Sequence, residues 1–158
     1  MRSAIVITAS NRAVAGVYKD LSGGALKIGL ENLGYQVLGH KLVQDDMHQI
    51  ATTIKSAIED EIDLIVTTGG TGISPTDVTP EATLAVASKT MPGFGEQMRQ
   101  ISLNFVPTAI LSRQVAVIRE LADRVMVLIA GEKIADGPPA EILRDQRVID
   151  QYLGAAHA

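Results

Sequence analysis

Apolar positions along the chain follow two periods. Continuous apolar runs rich in β-branched residues occupy 3–10 (SAIVITAS), 35–43 (YQVLGHKLV) and the stretch IDLIVTTGG that begins at Ile62. Short runs of this kind predict buried strands. Between them, apolar residues recur at helical spacing. Leu26, Leu30 and Leu33 predict a helix over 24–34, placed after a Ser22-Gly23-Gly24 break and stopped by Gly34. Met47, Ile50, Ile54 and Ile58 form a second stripe, and Asp45 or Asp46 can cap its start. Pro80 suits the first turn of a helix in TPEATLAVAS. Phe94, Met98, Ile101 and Phe105 mark one face of a further helix, and the methionines Met47 and Met98 read as core. PTAILSRQVAVIRE predicts a turn and a further strand or strand pair. RVMVLIAG predicts a strand, followed by a Gly-Pro loop and one or two Pro-led helices in GPPAEILRDQRVIDQYL. Strands alternating with helices predict an α/β fold of three layers, with a mostly parallel sheet and helices on both faces.

Composition sharpens this picture. A hydrophobic fraction of 46% with only 3% aromatics implies an aliphatic core, as buried parallel strands require. A length of 158 residues fits one domain. The net charge of −4 and the lack of any basic block argue against nucleic acid or an anionic membrane as the main partner. The sequence has no Cys, which excludes disulfides and thiolate chemistry. The first apolar run is too short for a signal-peptide core, and no run approaches a membrane span. The expectation is a cytoplasmic protein.

The candidate chemistry sits at the end of the third strand, in TTGGTGISPTDVTPEAT (67–83). Ligands of open parallel sheets bind beyond the carboxyl ends of the strands. Glycines let backbone amides approach an anion, Thr67, Thr68 and Thr71 add hydroxyl donors, and a helix N-terminus follows. The combination suits phosphate, although it is neither a P-loop nor a G-x-G-x-x-G turn. Asp77 fits beside phosphate only with a cation between them. Mg²⁺ held by carboxylates and phosphate oxygens satisfies that need. Asp45, at the end of strand two, is the second acid that can reach the loop. Its plain alternative is a helix N-cap. His40, His48 and His157 form no zinc spacing and read as structural or solvated.

The glycine stretch resembles the signature of the MogA/MoaB family of molybdenum cofactor biosynthesis proteins. SNRAVAGVYKDLSG (10–23), VQDD (43–46), MPGFGEQMR (91–99) and PTAILSRQVA (107–116) continue the resemblance in the family's order, over residues 1 to about 118. The resemblance implies Mg²⁺-dependent transfer of the adenylyl group of ATP to molybdopterin, releasing pyrophosphate. It further implies a homo-oligomer, trimeric or hexameric. By the same resemblance Asp45 and Asp77 are the catalytic and metal-binding acids. Thr68, Gly69, Gly70, Thr71 and Gly72 match the phosphate loop. Ser112 and Arg113 belong to an LSR element facing the pterin side. Asn11 stands where the family often has Asp, and Gln44 where it commonly has Pro.

After LSRQVA the resemblance changes. RELADRVMVLIAGEKIADGPPAEILRDQRVIDQYLG resembles the C-terminal tail of ATP-binding subunits of branched-chain amino acid ABC transporters, with no phosphate-binding motif of that class beside it. The expected organisation is a MogA/MoaB-like domain over 1–118, with 119–158 completing it. The rival expectation is a protein that binds molybdopterin or nucleotide, or acts as an oligomeric interaction module, without chemistry.

Overall fold

The computed structural model describes residues 2–118, 125–129 and 132–137, together with Glu141 and Gln146. The chain divides into two compact units, Met1–Val117 and Ile118–Ala158.

In the first unit β1 (Ser3–Ala9) leads into a single-turn helix α1 (Asn11–Val14). Then come α2 (Leu21–Asn32), β2 (Gln36–Val43), α3 (Met47–Glu59) and β3 (Leu64–Thr68). After the glycine loop the chain forms α4 (Thr79–Leu84), β4 (Lys89–Thr90), α5 (Pro92–Leu103) and a 3₁₀ turn at Pro107–Leu111. β4 pairs with β5 (Val117–Ile118). The main sheet has the order β2-β1-β3, and both pairings are parallel.

β1 is the central strand and its alternating sides feed two cores. Ile7 and Ala9 pack with Ile50 and Ile54 of α3 and Ala82 of α4. Ala4 and Val6 pack with Leu30 of α2, flanked by Leu26, Val37, Leu64 and Val66. Helices thus cover both faces of a parallel sheet, the three-layer α/β architecture read from the sequence. The pattern of β1 shows why it is central: six of its seven residues are buried, so no polar face is left for water.

Several element details depart from the sequence reading. α2 begins at Leu21 rather than 24, because Asp20 caps it by accepting from the Gly23 N–H at 2.9 Å. The Gly23-Gly24 pair lies within its first turn. There a Cβ on Gly23 would sit 2.1 Å from His40 Nε2, so the glycine serves close packing and not a break. Gly34, with φ +86°, ends the helix as expected. In α3, Ile50, Ile54 and Ala57 are buried, but Met47 is exposed. The predicted stripe of α5 is apolar but not buried: Phe94, Met98, Ile101 and Phe105 are all exposed.

In the second unit, β6 (Val125–Ile129) pairs antiparallel with β7 (Glu132–Gly137). β6 is the strand expected at RVMVLIAG, whereas β7 has no counterpart in the sequence reading. The Pro-led helices expected beyond it lie outside the described residues, except for Glu141 and Gln146, which are helical. His157 also lies outside them.

Candidate functional site

The parallel strands deliver their carboxyl ends to one edge, and the site is built there from three turns. The first is the β1–α1 turn. Ser10 caps α1 by accepting from the Ala13 N–H at 3.2 Å and pairs with the Tyr18 hydroxyl at 2.7 Å. Arg12 stacks over the Tyr18 ring, 5.3 Å from its centre.

The second is the β2–α3 turn with its adjacent acids. Asp46 is the N-cap of α3, accepting from the Gln49 N–H at 2.7 Å. Asp45 is therefore free of that duty. Its Oδ2 accepts from the Asn11 N–H at 2.8 Å, and its own N–H donates to Asn11 Oδ1 at 3.1 Å. This reciprocal pair joins the first two turns. Asn at 11 performs it without adding a second carboxylate beside Asp45.

The third is the loop after β3. Gly69 and Gly70 hold φ of +83° and +60°, which L side chains rarely adopt. Space demands glycine as well. A Cβ on Gly69 would lie 2.1 Å from the Ala9 carbonyl oxygen, and one on Gly70 2.6 Å from Thr79 Oγ1 and 3.2 Å from Asp45 Oδ1. A Cβ on Gly72 would lie 2.8 Å from Asp77 Oδ2. Asp45 and Asp77 thus reach the same short loop two residues apart. Asp77 Oδ2 accepts from the Ser74 N–H at 2.9 Å. Each acid has one oxygen oriented by the backbone, while its other oxygen, Oδ1, takes no hydrogen bond among the described residues.

The loop leaves donors unspent. Among the described residues, the backbone N–H groups of Gly70, Thr71, Gly72 and Ile73 donate to no protein acceptor. The Thr79 N–H bonds the Gly70 carbonyl at 3.1 Å, and Thr79, only 2% exposed, has a buried hydroxyl with no partner. A buried polar group without a partner is costly and marks a place where a ligand or ion can supply one. A cavity of about 220 Å³ opens here, with Thr67, Thr68, Thr71, Thr79 and Thr83 contributing hydroxyl-bearing walls and Leu26, Val66 and Met98 apolar ones. A larger hollow of about 490 Å³ at Leu84, Ala87, Ser88, Lys89 and Thr90 includes none of the loop residues.

Ser112 and Arg113 arrive from the segment after the 3₁₀ turn. Ser112 Oγ lies 3.4 Å from Thr71 Oγ1. The Arg113 N–H donates to the Thr71 carbonyl at 2.8 Å and its Nε to the Gly72 carbonyl at 2.7 Å. Its remaining arms bond the Asp77 carbonyl and the Glu81 carboxylate. The Arg113 guanidinium holds the Glu81 carboxyl below its usual range.

His40 lies outside this loop. Its Nε2 meets both Thr8 Oγ1 and Asp20 Oδ2 at 2.9 Å. Because both contacts fall on one nitrogen, the ring cannot relay a proton from one to the other through its second nitrogen. The cluster ties β1, β2 and the cap of α2. Burial alone would raise the Asp20 pKa, but the Gly23 amide, the Thr8 hydroxyl and His40 outweigh it and hold the carboxyl below its ordinary value. His48 is exposed.

The sequence reading placed Asp45, Asp77, the 68–72 loop, Ser112 and Arg113 together, and the structure brings all of them to this loop. It missed Asn11 as the partner of Asp45, Thr79 as the buried hydroxyl and Glu81 as the partner of Arg113. A signal for the last two was present: Pro80 starts the helix, so Thr79 and Glu81 must occupy its first turn, beside the loop.

The family model described as "Probable molybdopterin binding domain" matches residues 5–135. The chain is 51% identical over 118 residues to the molybdopterin adenylyltransferase of Haemophilus influenzae, covering 73% of this chain and 60% of that protein. It is 50% identical over 120 residues to the molybdopterin adenylyltransferase of Escherichia coli K12, covering 74% and 62%. The chain thus spans about 60% of the length of these curated relatives. The solved molybdopterin biosynthesis Mog protein of Mycobacterium ulcerans superposes with a TM-score of 0.70 at 44% identity, covering 75% of this chain and 77% of that one. The molybdopterin biosynthesis enzyme MoaB of Thermus thermophilus gives 0.70 at 35% identity, covering 75% and 76%. Residues 132–158 match a separate model, described as "Branched-chain amino acid ATP-binding cassette transporter". By the match that spans most of its length, the chain belongs to the molybdopterin-binding domain family.

Proposed function

We propose that this chain transfers the adenylyl group of ATP to the terminal phosphate of molybdopterin, with Mg²⁺ bound and pyrophosphate released. The observation that carries this reading is the row of unspent amides from Gly70 to Ile73, in a loop that Asp45 and Asp77 both reach and whose Gly69 and Thr71 line a small cavity. Successive free amides form an anion cradle, and the relatives at about half identity are adenylyltransferases by name.

The residues fit a magnesium ion. Among the described residues there is no group of three or more acids and histidines to make an all-protein cage. Two carboxylates with a spare oxygen each, near an unpartnered Thr79 hydroxyl, form the sparse hard-oxygen set that Mg²⁺ completes with water and phosphate oxygens. Asp45 and Asp77 would hold it, and bound there it would neutralise charge gathering on the phosphate oxygens of the adenylyl group in transfer. Neither acid has to take a proton, because a phosphate monoester is already an anionic nucleophile. Thr68, Gly69, Gly70, Thr71 and Gly72 hold phosphate oxygens by amide and hydroxyl donors, which fixes the reacting groups in line. Ser112 and Arg113 complete the loop from its far side.

A turnover assay with ATP, Mg²⁺ and molybdopterin tests the proposal. Product is expected, with Asp77→Ala abolishing it in a protein that stays folded. Full activity in that variant would sink the assignment. The match of 132–158 to another family keeps a second reading in play, a binder without chemistry; ATP binding without pyrophosphate release would favour it.

No helix among the described residues is long and apolar enough to cross a membrane, which is compatible with work in the cytoplasm. The exposed Phe94, Met98, Ile101 and Phe105 of the α5 region supply an apolar face on which a homo-oligomer could assemble.

A further inference from the structure

In a trans peptide the N–H points opposite to the C=O of the same unit. No cis peptide occurs among the described residues. Fixing the carbonyl of one residue therefore fixes the direction of the next residue's N–H. Arg113 fixes three such units: its N–H, Nε and Nη2 donate to the carbonyls of Thr71, Gly72 and Asp77. The amides sharing those units belong to Gly72, Ile73 and Val78. None of the three donates to a protein acceptor among the described residues. All three consequently point away from Arg113.

We propose that Arg113 is a positioning residue that grips the carbonyl side of the 71–78 loop and so keeps the amides of Gly72, Ile73 and Val78 aimed as an anion-binding set. This rests on the phosphate reading above and gives Arg113 a role through the loop rather than by contact with substrate. The guanidinium suits the task because its planar fork meets acceptors in several directions, where an ammonium meets them only as a point charge. Glu81 takes Nη1, a further anchor for the fork. An anion loop held this way needs little reorganisation when its ligand arrives, which is where preorganised dipoles gain their effect.

The test uses ¹⁵N-labelled full-length chain, with pyrophosphate as the probe. Heteronuclear NOEs of the Gly72, Ile73 and Val78 amides report loop order without any ligand, and pyrophosphate titration reports binding. Arg113→Ala and Arg113→Lys both remove the side-chain donors to the Gly72 and Asp77 carbonyls, and both are expected to lower the Ile73 and Val78 NOEs, with a smaller change at Gly72, held through the backbone N–H that both variants keep, and none at the β1 amides. They should also weaken pyrophosphate binding roughly tenfold, the loss expected when the ordering of about one loop residue falls on the binding step. Glu81→Gln should produce a smaller change of the same kind, and it should not add to the effect of Arg113→Ala. Unchanged NOEs in Arg113→Ala overturn the proposal. So does full recovery of binding in Arg113→Lys, since charge alone would then suffice. If the wild-type chain binds no pyrophosphate while Arg113→Ala still disorders the Ile73 and Val78 amides, the positioning role stands and the phosphate reading falls.

Discussion

Two neighbouring aspartates divide the labour at the β2–α3 turn. Asp46 caps the helix and Asp45 turns toward the glycine loop. Substitutions should separate these jobs. Asp46→Ala removes an N-cap and should cost about 1 kcal/mol, read as a lower melting temperature, with turnover kept. Asp45→Ala should spare the cap and abolish turnover; equal losses of activity in both variants would refute the division. The sequence could offer either acid as cap, because adjacent Asp residues look alike until the backbone chooses one. What it offered was the expectation that Asp45 and Asp77 can meet over the glycine run. The glycines offer a sharper residue-scale test. Gly69 combines φ +83° with a carbonyl oxygen 2.1 Å from any added Cβ. Gly69→Ala should therefore destabilise the protein by about 2 kcal/mol or more, measured by denaturant unfolding. Gly24→Ala meets nothing within 4 Å and has no positive φ, so its stability should be equal or higher.

At the scale of elements, the legible parts were those whose signal lies within the segment itself. β1, β3 and the stop of α2 at Gly34 follow from an apolar run or a single glycine. The start of α2 did not, because its Gly23 is dictated by His40 on another strand. The same Thr8–His40–Asp20 cluster predicts an acid response. The Asp20 pKa is lower folded than unfolded, so the stability it contributes is complete above the unfolded value, near about pH 4. That contribution is lost as the pH falls from there through the folded value. Asp20→Asn should remove this part of the acid dependence and leave the neutral-to-mildly-acidic region flat. Melting temperatures from pH 2 to 6 would show it, and a wild-type slope retained in the variant would contradict it. The α5 stripe was legible as a pattern but not as a burial state. Helical periodicity reports an amphipathic face and says nothing of what covers it.

For the whole molecule, the question is how much of the chain the fold needs. Among the described residues, the two cores of the first unit are made from residues no later than Val86. β1, the strand both cores share, is held on each side by a partner from the same unit. A fragment of residues 1–118 therefore contains every described residue of those two cores, and it should unfold in one cooperative thermal transition. The apolar α5 face also lies within the fragment, with Phe94 59% and Phe105 81% exposed. Light scattering on the fragment and the full chain then separates two sources of assembly. If both associate alike, the interface belongs to the first unit, and Phe94→Ser with Phe105→Ser should dissociate it. If only the full chain associates, residues 119–158 provide the contact and the α5 face does not. Failure of the fragment to fold would show that the C-terminal segment completes the domain, the organisation expected from the sequence.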